Sequence, residues 1–236
     1  MECIATLKEH HGSIECLTYG DGLLYSGGCD KTIRVWKDFK CIAILKGHAN
    51  DVTCLTYGDG LLYSGSNDDT IKVWKDFECI ATLKGHTDSV TCIAYGDGLL
   101  YSGSNDNTIK VWKDLECIAT LKEHNDSVTC IAYAEGLLYS GSYDETIKVW
   151  KNLECVVTLK ERVHGIECLI YADGLLYSGD IVCNIKVWKD FECVTVIENC
   201  NEIYSMVYVD GLLYSGCFDL TIKAWKEIGK FTKRAL

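Results

Sequence analysis

The sequence predicts an all-β chain: a six-bladed β-propeller with four antiparallel strands per blade and an N-terminal strand that closes the last blade. Three observations predict it. Tryptophans stand at 36, 74, 112, 150, 188 and 225, a spacing of 38 residues four times and then 37. Each interval holds four short strand signals separated by turn residues. No segment sustains a helical period, and the chain has no proline.

A fixed period of this length marks a repeat architecture. Lys40–Phe77 and Glu78–Leu115 differ at only nine of 38 positions. Six copies occupy residues 2 to about 229 as one domain, and a tail, 230–236, remains. The third copy shows the elements in order. Cys79-Ile80-Ala81-Thr82-Leu83 is apolar or β-branched and ends at Lys84-Gly85-His86. Val90 to Tyr95 is the next strand, and Asp97-Gly98 supplies the positive φ of a tight hairpin. Leu99 to Ser102 follows, and Asn105-Asp106-Asn107 turns the chain into Thr108-Ile109-Lys110-Val111-Trp112. Four strands per roughly 40 residues describe a propeller blade. The chain begins on the strand that follows Trp in every other copy. Glu2 to Lys8 is therefore expected to supply the outer strand of the blade ending at Trp225, and Ile228 to Ala235 competes for that slot.

Composition narrows the function. With 236 residues, 48% hydrophobic and 24% charged, the chain is globular. A net charge of −11 repels phosphate backbones and anionic headgroups, so neither nucleic acid nor membrane is expected as a partner. Fifteen cysteines behind an acidic N-terminus, without a basic and then apolar leader, point to a reducing, cytoplasmic setting. Eleven of them are periodic. Cys3, Cys41, Cys79, Cys117, Cys155 and Cys193 share one repeat position; Cys16, Cys54, Cys92, Cys130 and Cys168 share another. Such cysteines read as small buried hydrophobes. With no Cys-x-x-Cys and no zinc-spaced His pair, neither metal nor cofactor is expected. Cys29, Cys183, Cys200 and Cys217 break the pattern and are the better candidates for reactivity.

Gly85-His86, followed by Ser102-Gly103-Ser104-Asn105-Asp106-Asn107-Thr108-Ile109-Lys110-Val111-Trp112, resembles the WD40 family in order and spacing over essentially the whole chain. The Trp-Asp pair that names the family is Trp-Lys here, as in Trp112-Lys113. The resemblance implies four hydrogen-bonded tetrads: His10-Ser26-Asp30-Trp36, His48-Ser64-Asp68-Trp74, His86-Ser102-Asp106-Trp112 and His124-Ser140-Asp144-Trp150. A buried indole N–H needs an acceptor, and a buried carboxylate needs donors. A Ser-His-Asp triad is the other reading, but catalysis needs one such set opening on a pocket, not four inside repeats. In the fifth copy Arg162 replaces the His and Val182 the Asp, with Asp180 and His164 displaced by two; in the sixth Cys200 lies near the His position. These two copies are expected to be the least clamped.

The resemblance also implies a ligand face built from the turn before each Asp position and the opening of each inner strand. There the second and third copies offer Asn67, Thr53, Asn105 and Thr91, whereas the later copies offer Tyr143, Ile181, Tyr204 and Phe218, flanked by Glu167 and Glu202, with Glu15 on the first copy. Clustered apolar groups in exposed turns suggest an interface. The expected partner is a protein or peptide with an apolar anchor and a nearby basic residue, bound by a non-catalytic scaffold, monomeric by preference. A self-assembling, strand-swapped repeat scaffold is the alternative. An enzyme with a site in a central funnel, for which Glu15 and Glu167 are the only pair of acids, stands last.

Overall fold

The computed structural model describes residues 3–160, 165–181, 184–198 and 203–226, and every regular element among them is a strand. The chain forms two compact units, one up to Lys122 and one from Glu123. Three sheets make the first unit: β1 (Ile14–Gly20), β2 (Leu23–Gly28), β3 (Thr32–Lys37) and β4 (Lys40–Lys46); β5 (Val52–Gly58), β6 (Leu61–Ser66), β7 (Thr70–Lys75) and β8 (Glu78–Lys84); β9 (Val90–Gly96), β10 (Leu99–Ser104), β11 (Ile109–Lys113) and β12 (Glu116–Leu121). The second unit holds β13 (Val128–Ala134), β14 (Leu137–Ser142), β15 (Thr146–Lys151) and β16 (Glu154–Lys160); β17 (Ile166–Ala172), β18 (Leu175–Asp180), β19 (Ile185–Lys189) and β20 (Glu192–Ile197); and the three strands β21 (Ile203–Val209), β22 (Leu212–Cys217) and β23 (Ile222–Lys226). Each sheet is an antiparallel meander in chain order.

The expected strands of the third copy match β8 to β11 within two residues at either end. The second strand of each sheet is covered on both faces: Leu62, Tyr63, Ser64, Gly65 and Ser66 are all buried. That coverage comes from the neighbouring sheet of the same unit. Val73 and Val90 are fully buried together with Cys54, Tyr63 and Leu83 in the first unit. Val149, Ile147 and Ile166 do the same in the second. Each such side chain contributes roughly 1.5–3 kcal/mol by leaving water. Gly65 permits the approach, because a Cβ there would lie 2.6 Å from Val90 Cγ1 and 2.5 Å from Cys54 Sγ.

A tyrosine joins each such pair of sheets. Tyr57 stacks on Tyr25 at 5.9 Å and donates to Asp21 at 2.6 Å; Tyr95 stacks on Tyr63 at 5.6 Å and donates to Asp59 at 2.7 Å. In the second unit Tyr171 meets Tyr139 and Glu135, and Tyr208 meets Tyr177 and Asp173. The acceptors sit in the hairpin turn of the preceding sheet.

Among the described residues, 3–10 carry no strand and the sixth sheet has three strands, so the pairing expected of Glu2 to Lys8 is not among the described elements. Glu2 and the competing segment after Lys226 lie outside the described residues.

Two kinds of hairpin turn have positive φ at both central residues, the geometry of type I′. Asp97-Gly98 has φ values of +49° and +74°. The second kind, Asp38-Phe39, Asp76-Phe77, Asp114-Leu115, Asn152-Leu153 and Asp190-Phe191, puts a bulky residue where Gly or Asn fits best, at φ between +62° and +69°. Phe39 is 62% exposed, so little packing offsets its strain. Phe39→Asn is expected to raise stability by about 0.5–1 kcal/mol, read as a higher urea midpoint at unchanged slope.

Candidate functional site

The tetrads form as hydrogen-bonded chains with a definite polarity. Asp68 is an ionised acceptor, so His48 donates from Nδ1 to its Oδ2 at 2.8 Å. That leaves Nε2 bare to accept the Ser64 hydroxyl at 2.7 Å, and Ser64 Oγ accepts the Trp74 indole N–H at 2.8 Å. The first, third and fourth copies repeat this, with His10, His86 and His124 each 2.8–2.9 Å from Asp30, Asp106 and Asp144. Trp36, Trp112 and Trp150 donate to Ser26, Ser102 and Ser140 at 2.8–2.9 Å. These serines are at most 1% exposed, so no substrate reaches their oxygens.

Burial alone would raise the Asp68 carboxyl. The hydrogen bonds from Thr70, the Ala49 amide and His48 outweigh it and hold the group below its usual range. Asp30, Asp106 and Asp144 are held low in the same way. Burial also lowers His48, partly opposed by Asp68. Protonating Nε2 would turn it from acceptor to donor and leave the Ser64 O–H without its partner.

The fifth sheet keeps Trp188 donating to Ser178 at 2.9 Å, but Arg162, His164, Val182 and Cys183 lie outside the described residues. Asp180 is buried and accepts the Asn184 amide at 2.8 Å and its side-chain N–H at 3.0 Å, so it holds its own turn. In the sixth sheet Trp225 donates to Ser215 at 3.0 Å, and Asp219 takes the Thr221 hydroxyl and faces Lys223 at 3.7 Å; Cys200 and Glu202 lie outside the described residues. Of the repeated strand cations, Lys72 and Lys110 donate to Thr82 and Thr120. Arg34 is buried beside Asp30.

The inner-strand positions assigned to the ligand face share a cause that the sequence did not reveal. Glu15, Thr53, Thr91, Thr129, Glu167 and Tyr204 are each the extra residue of a β-bulge between the first two strands of a sheet. A bulge re-aims its extra side chain. Thr53 uses this to donate to the Val90 carbonyl at 2.5 Å, and Thr129 donates to the Gly141 carbonyl at 3.1 Å. Glu15 accepts the Cys29 thiol at 3.1 Å. That bond pushes the Cys29 thiol up to about 11, which disfavours its thiolate. Cys217 is buried, and all thirteen described cysteines are free.

In the second unit the same positions carry larger groups. Tyr143 donates to Glu167 Oε1 at 2.7 Å and stays 44% exposed. Its hydroxyl is pushed up to about 12, by burial first and then by Glu167. Gly165 makes room, because a Cβ there would lie 2.5 Å from the Tyr143 ring. Ile181 is half-buried, and its amide donates to the Gly165 carbonyl at 3.3 Å. Tyr204 and Phe218 pack edge to face at 6.2 Å and remain 56% and 65% exposed. Three successive sheets thus present Tyr143, Ile181 and the Tyr204–Phe218 pair at turn and bulge positions. The sequence reading missed that Glu167 is already engaged by Tyr143; its remaining lone pairs can still accept from a cation.

Clamped antiparallel sheets in tandem, with variation confined to turns and bulges, define a repeat protein of the propeller class. The family model described as WD domain, G-beta repeat matches residues 1–37, 39–75, 77–113 and 115–151. No curated protein matches by sequence. Among solved structures, the WD40 β-propeller domain of Doa1 is similar at a TM-score of 0.85 and 26% identity, over 94% of this chain and 81% of that one. The computationally designed Ika8 protein is similar at 0.82 and 28%, over 95% and 74%. The chain belongs to the WD40 family, and its six sheets are the blades of a β-propeller.

Two outcomes are expected. Ser102→Ala strands the Trp112 N–H and His86 Nε2 and should cost about 2–3 kcal/mol in urea unfolding. For pH, the four aspartates and His48 all have lowered native values, so the unfolded chain binds more protons. Stability should be full above about pH 7, begin to fall below about 6.5 as His48 protonates, and fall again below about 4 as the aspartates do; urea midpoints across that range read it.

Proposed function

We propose that this chain is a non-catalytic scaffold that binds a peptide or protein on the turn-and-bulge face of its second unit. WD40 propellers are generally protein-interaction scaffolds. The observation that carries the reading is the exposed aromatic set on successive blades. Tyr204 and Phe218 form a ready edge-to-face platform for an apolar anchor, and Tyr143 adds a third ring held by Glu167. Aromatic rings of low conformational freedom are the usual centres of binding energy. Glu167 carries the preference for a basic residue near the anchor, consistent with the acidic chain as a whole. Glu15 belongs to the first unit and is occupied by Cys29, so the reading rests on the second unit's residues. The free thiols support a reducing, cytoplasmic setting.

A direct test uses an immobilised array of short peptides that pair a Leu, Phe or Trp with a nearby Lys or Arg. The chain should bind a subset. Tyr143→Ala with Phe218→Ala should weaken that binding by about 100-fold, and Glu167→Gln should reduce the preference for basic over neutral peptides. Binding that survives the double substitution unchanged overturns the assignment.

A further inference from the structure

In each four-stranded meander, the turn from the first strand to the second and the turn from the third to the fourth lie at one end of the blade. The turn that carries the tetrad Asp lies at the other. At the two-turn end, the first and second blades of the first unit enclose a groove of about 210 Å³. Tyr25 and Trp74, 5% and 4% exposed, form its floor. Tyr57, stacked on Tyr25, and Phe77, 44% exposed, form its walls. Asp21 and Asp76 stand at its rim, one from each blade. The second and third blades of the same unit repeat the plan, with Tyr63 and Trp112 below, Tyr95 and Leu115 beside, and Asp59 and Asp114 at the rim.

The two rim acids hold negative charge that nothing nearby neutralises. Among the described residues, the Asp21 carboxylate accepts only the Tyr57 hydroxyl, at 2.6 Å, and the Asp76 carboxylate is in no hydrogen bond or ion pair. Lys75 also borders the groove, yet it bonds to neither acid, and its long stem lets the ammonium stay in water. Turn geometry does not call for the charge. Asn152 holds the position of Asp76 in the fourth blade, at φ +52° against +50°. The groove is accordingly negative: the Tyr57 hydroxyl is pushed up to about 12, by burial first and then by Asp21, with Asp76 adding to it.

We infer that the groove between the first and second blades receives the arginine side chain of a protein partner. Its size sets the kind of occupant: small-molecule sites run to about 300–1,000 Å³, whereas this one suits a single side chain. Its lining sets which side chain. An apolar residue would take water from two carboxylates and give them no donor in return. A lysine ammonium is compact and strongly hydrated, and gains less from aromatic walls. A guanidinium is planar and weakly hydrated, stacks on rings and carries donors on more than one side. Tyr57 and Phe77 supply the rings, and Asp21 and Asp76 supply acceptors from two blades. The second groove has Leu115 in place of Phe77 and so should hold arginine less tightly. The net charge of −11 favours a basic partner in the same sense. The inference does not depend on the peptide-binding reading, whose residues belong to the second unit and to the turns at the other end of the strands.

Nuclear magnetic resonance of the indole N–H groups tests it. The probe is a capped pentapeptide, Gly-Ala-Arg-Ala-Gly, titrated into the whole chain to millimolar concentration. The Trp74 signal should shift along a saturable curve that weakens with added salt. The same peptide with citrulline, which keeps the shape and loses the charge, should leave it unmoved, and one with lysine should bind more weakly. Asp76→Asn and Phe77→Leu introduce residues that the chain itself uses at those positions, Asn152 and Leu115, so both variants should fold. Each should weaken the Trp74 response by about 3–5-fold and leave the Trp112 response as it was. A Trp74 signal indifferent to the arginine peptide, an equal response to citrulline or lysine, or an unchanged affinity in either variant would each overturn the proposal.

Discussion

The hydrogen-bond chain from indole to hydroxyl to imidazole to carboxylate is the constraint on which each blade depends. Every member is buried, so every donor and acceptor must be matched, and the match works in one polarity only. The carboxylate must be ionised to accept from Nδ1, and the imidazole must be neutral to accept from the serine. The Asp also takes the amide and hydroxyl of the Thr two residues on, which shapes the turn into the third strand. One carboxylate therefore sets the turn that presents the variable residue immediately before it. The scaffold and the variable surface are covalent neighbours, and the surface varies without cost to the clamp only because the preceding side chain points away from it.

The contact between successive blades within a unit obeys a second rule, equally repetitive and not part of the tetrad. A tyrosine ring stacks on the preceding blade's tyrosine while its hydroxyl reaches that blade's turn acid. The acceptor is Asp in the first unit's turns and Glu135 in one of the second's, and the bond lengths stay within 2.6–2.8 Å. Rigid rings and a short turn tolerate little sliding, so register between blades is set at the same time as packing. A repeat built this way has a donor face and an acceptor face. Any array of such repeats ends with one of each unless something meets them.

Most of the fold was legible in the sequence because it is local. Asp97-Gly98 and the Trp period marked hairpins and blades, since strands that pair with sequence neighbours leave their turns and alternation in the chain between them. The tetrads were legible through resemblance, which supplied the pairing that spacing alone does not. The stacking of Tyr57 on Tyr25 was not found, although its signal, a Tyr two residues ahead of each Asp-Gly or Glu-Gly turn, recurs in every copy. The partner lies a whole repeat away, and nothing local says which way the hydroxyl reaches. At the candidate site, exposure of Tyr143, Tyr204 and Phe218 could be read from their turn positions, whereas the bond from Tyr143 to Glu167 depended on the bulge that turns Glu167 outward.

The sixth copy lacks the full clamp and carries two exposed aromatics, Tyr204 and Phe218, and physical chemistry connects the two. Where His and Asp are intact, the turn is held from beneath, so small polar residues such as Asn67 and Asn105 suffice in the second and third copies. In the fifth blade Asp180 is spent on Asn184, and in the sixth Asp219 is left to Thr221 and Lys223. Those turns must be held from above as well, and the Tyr204–Phe218 contact does that across the bulge and the turn of one blade. An edge-to-face pair is worth about 0.5–1.5 kcal/mol beyond the area it buries, comparable to a single lost hydrogen bond. It achieves this by keeping two large rings at the surface. The same substitution that compensates a missing clamp thus creates an apolar platform that water covers poorly, and a surface of that kind gains further from a partner.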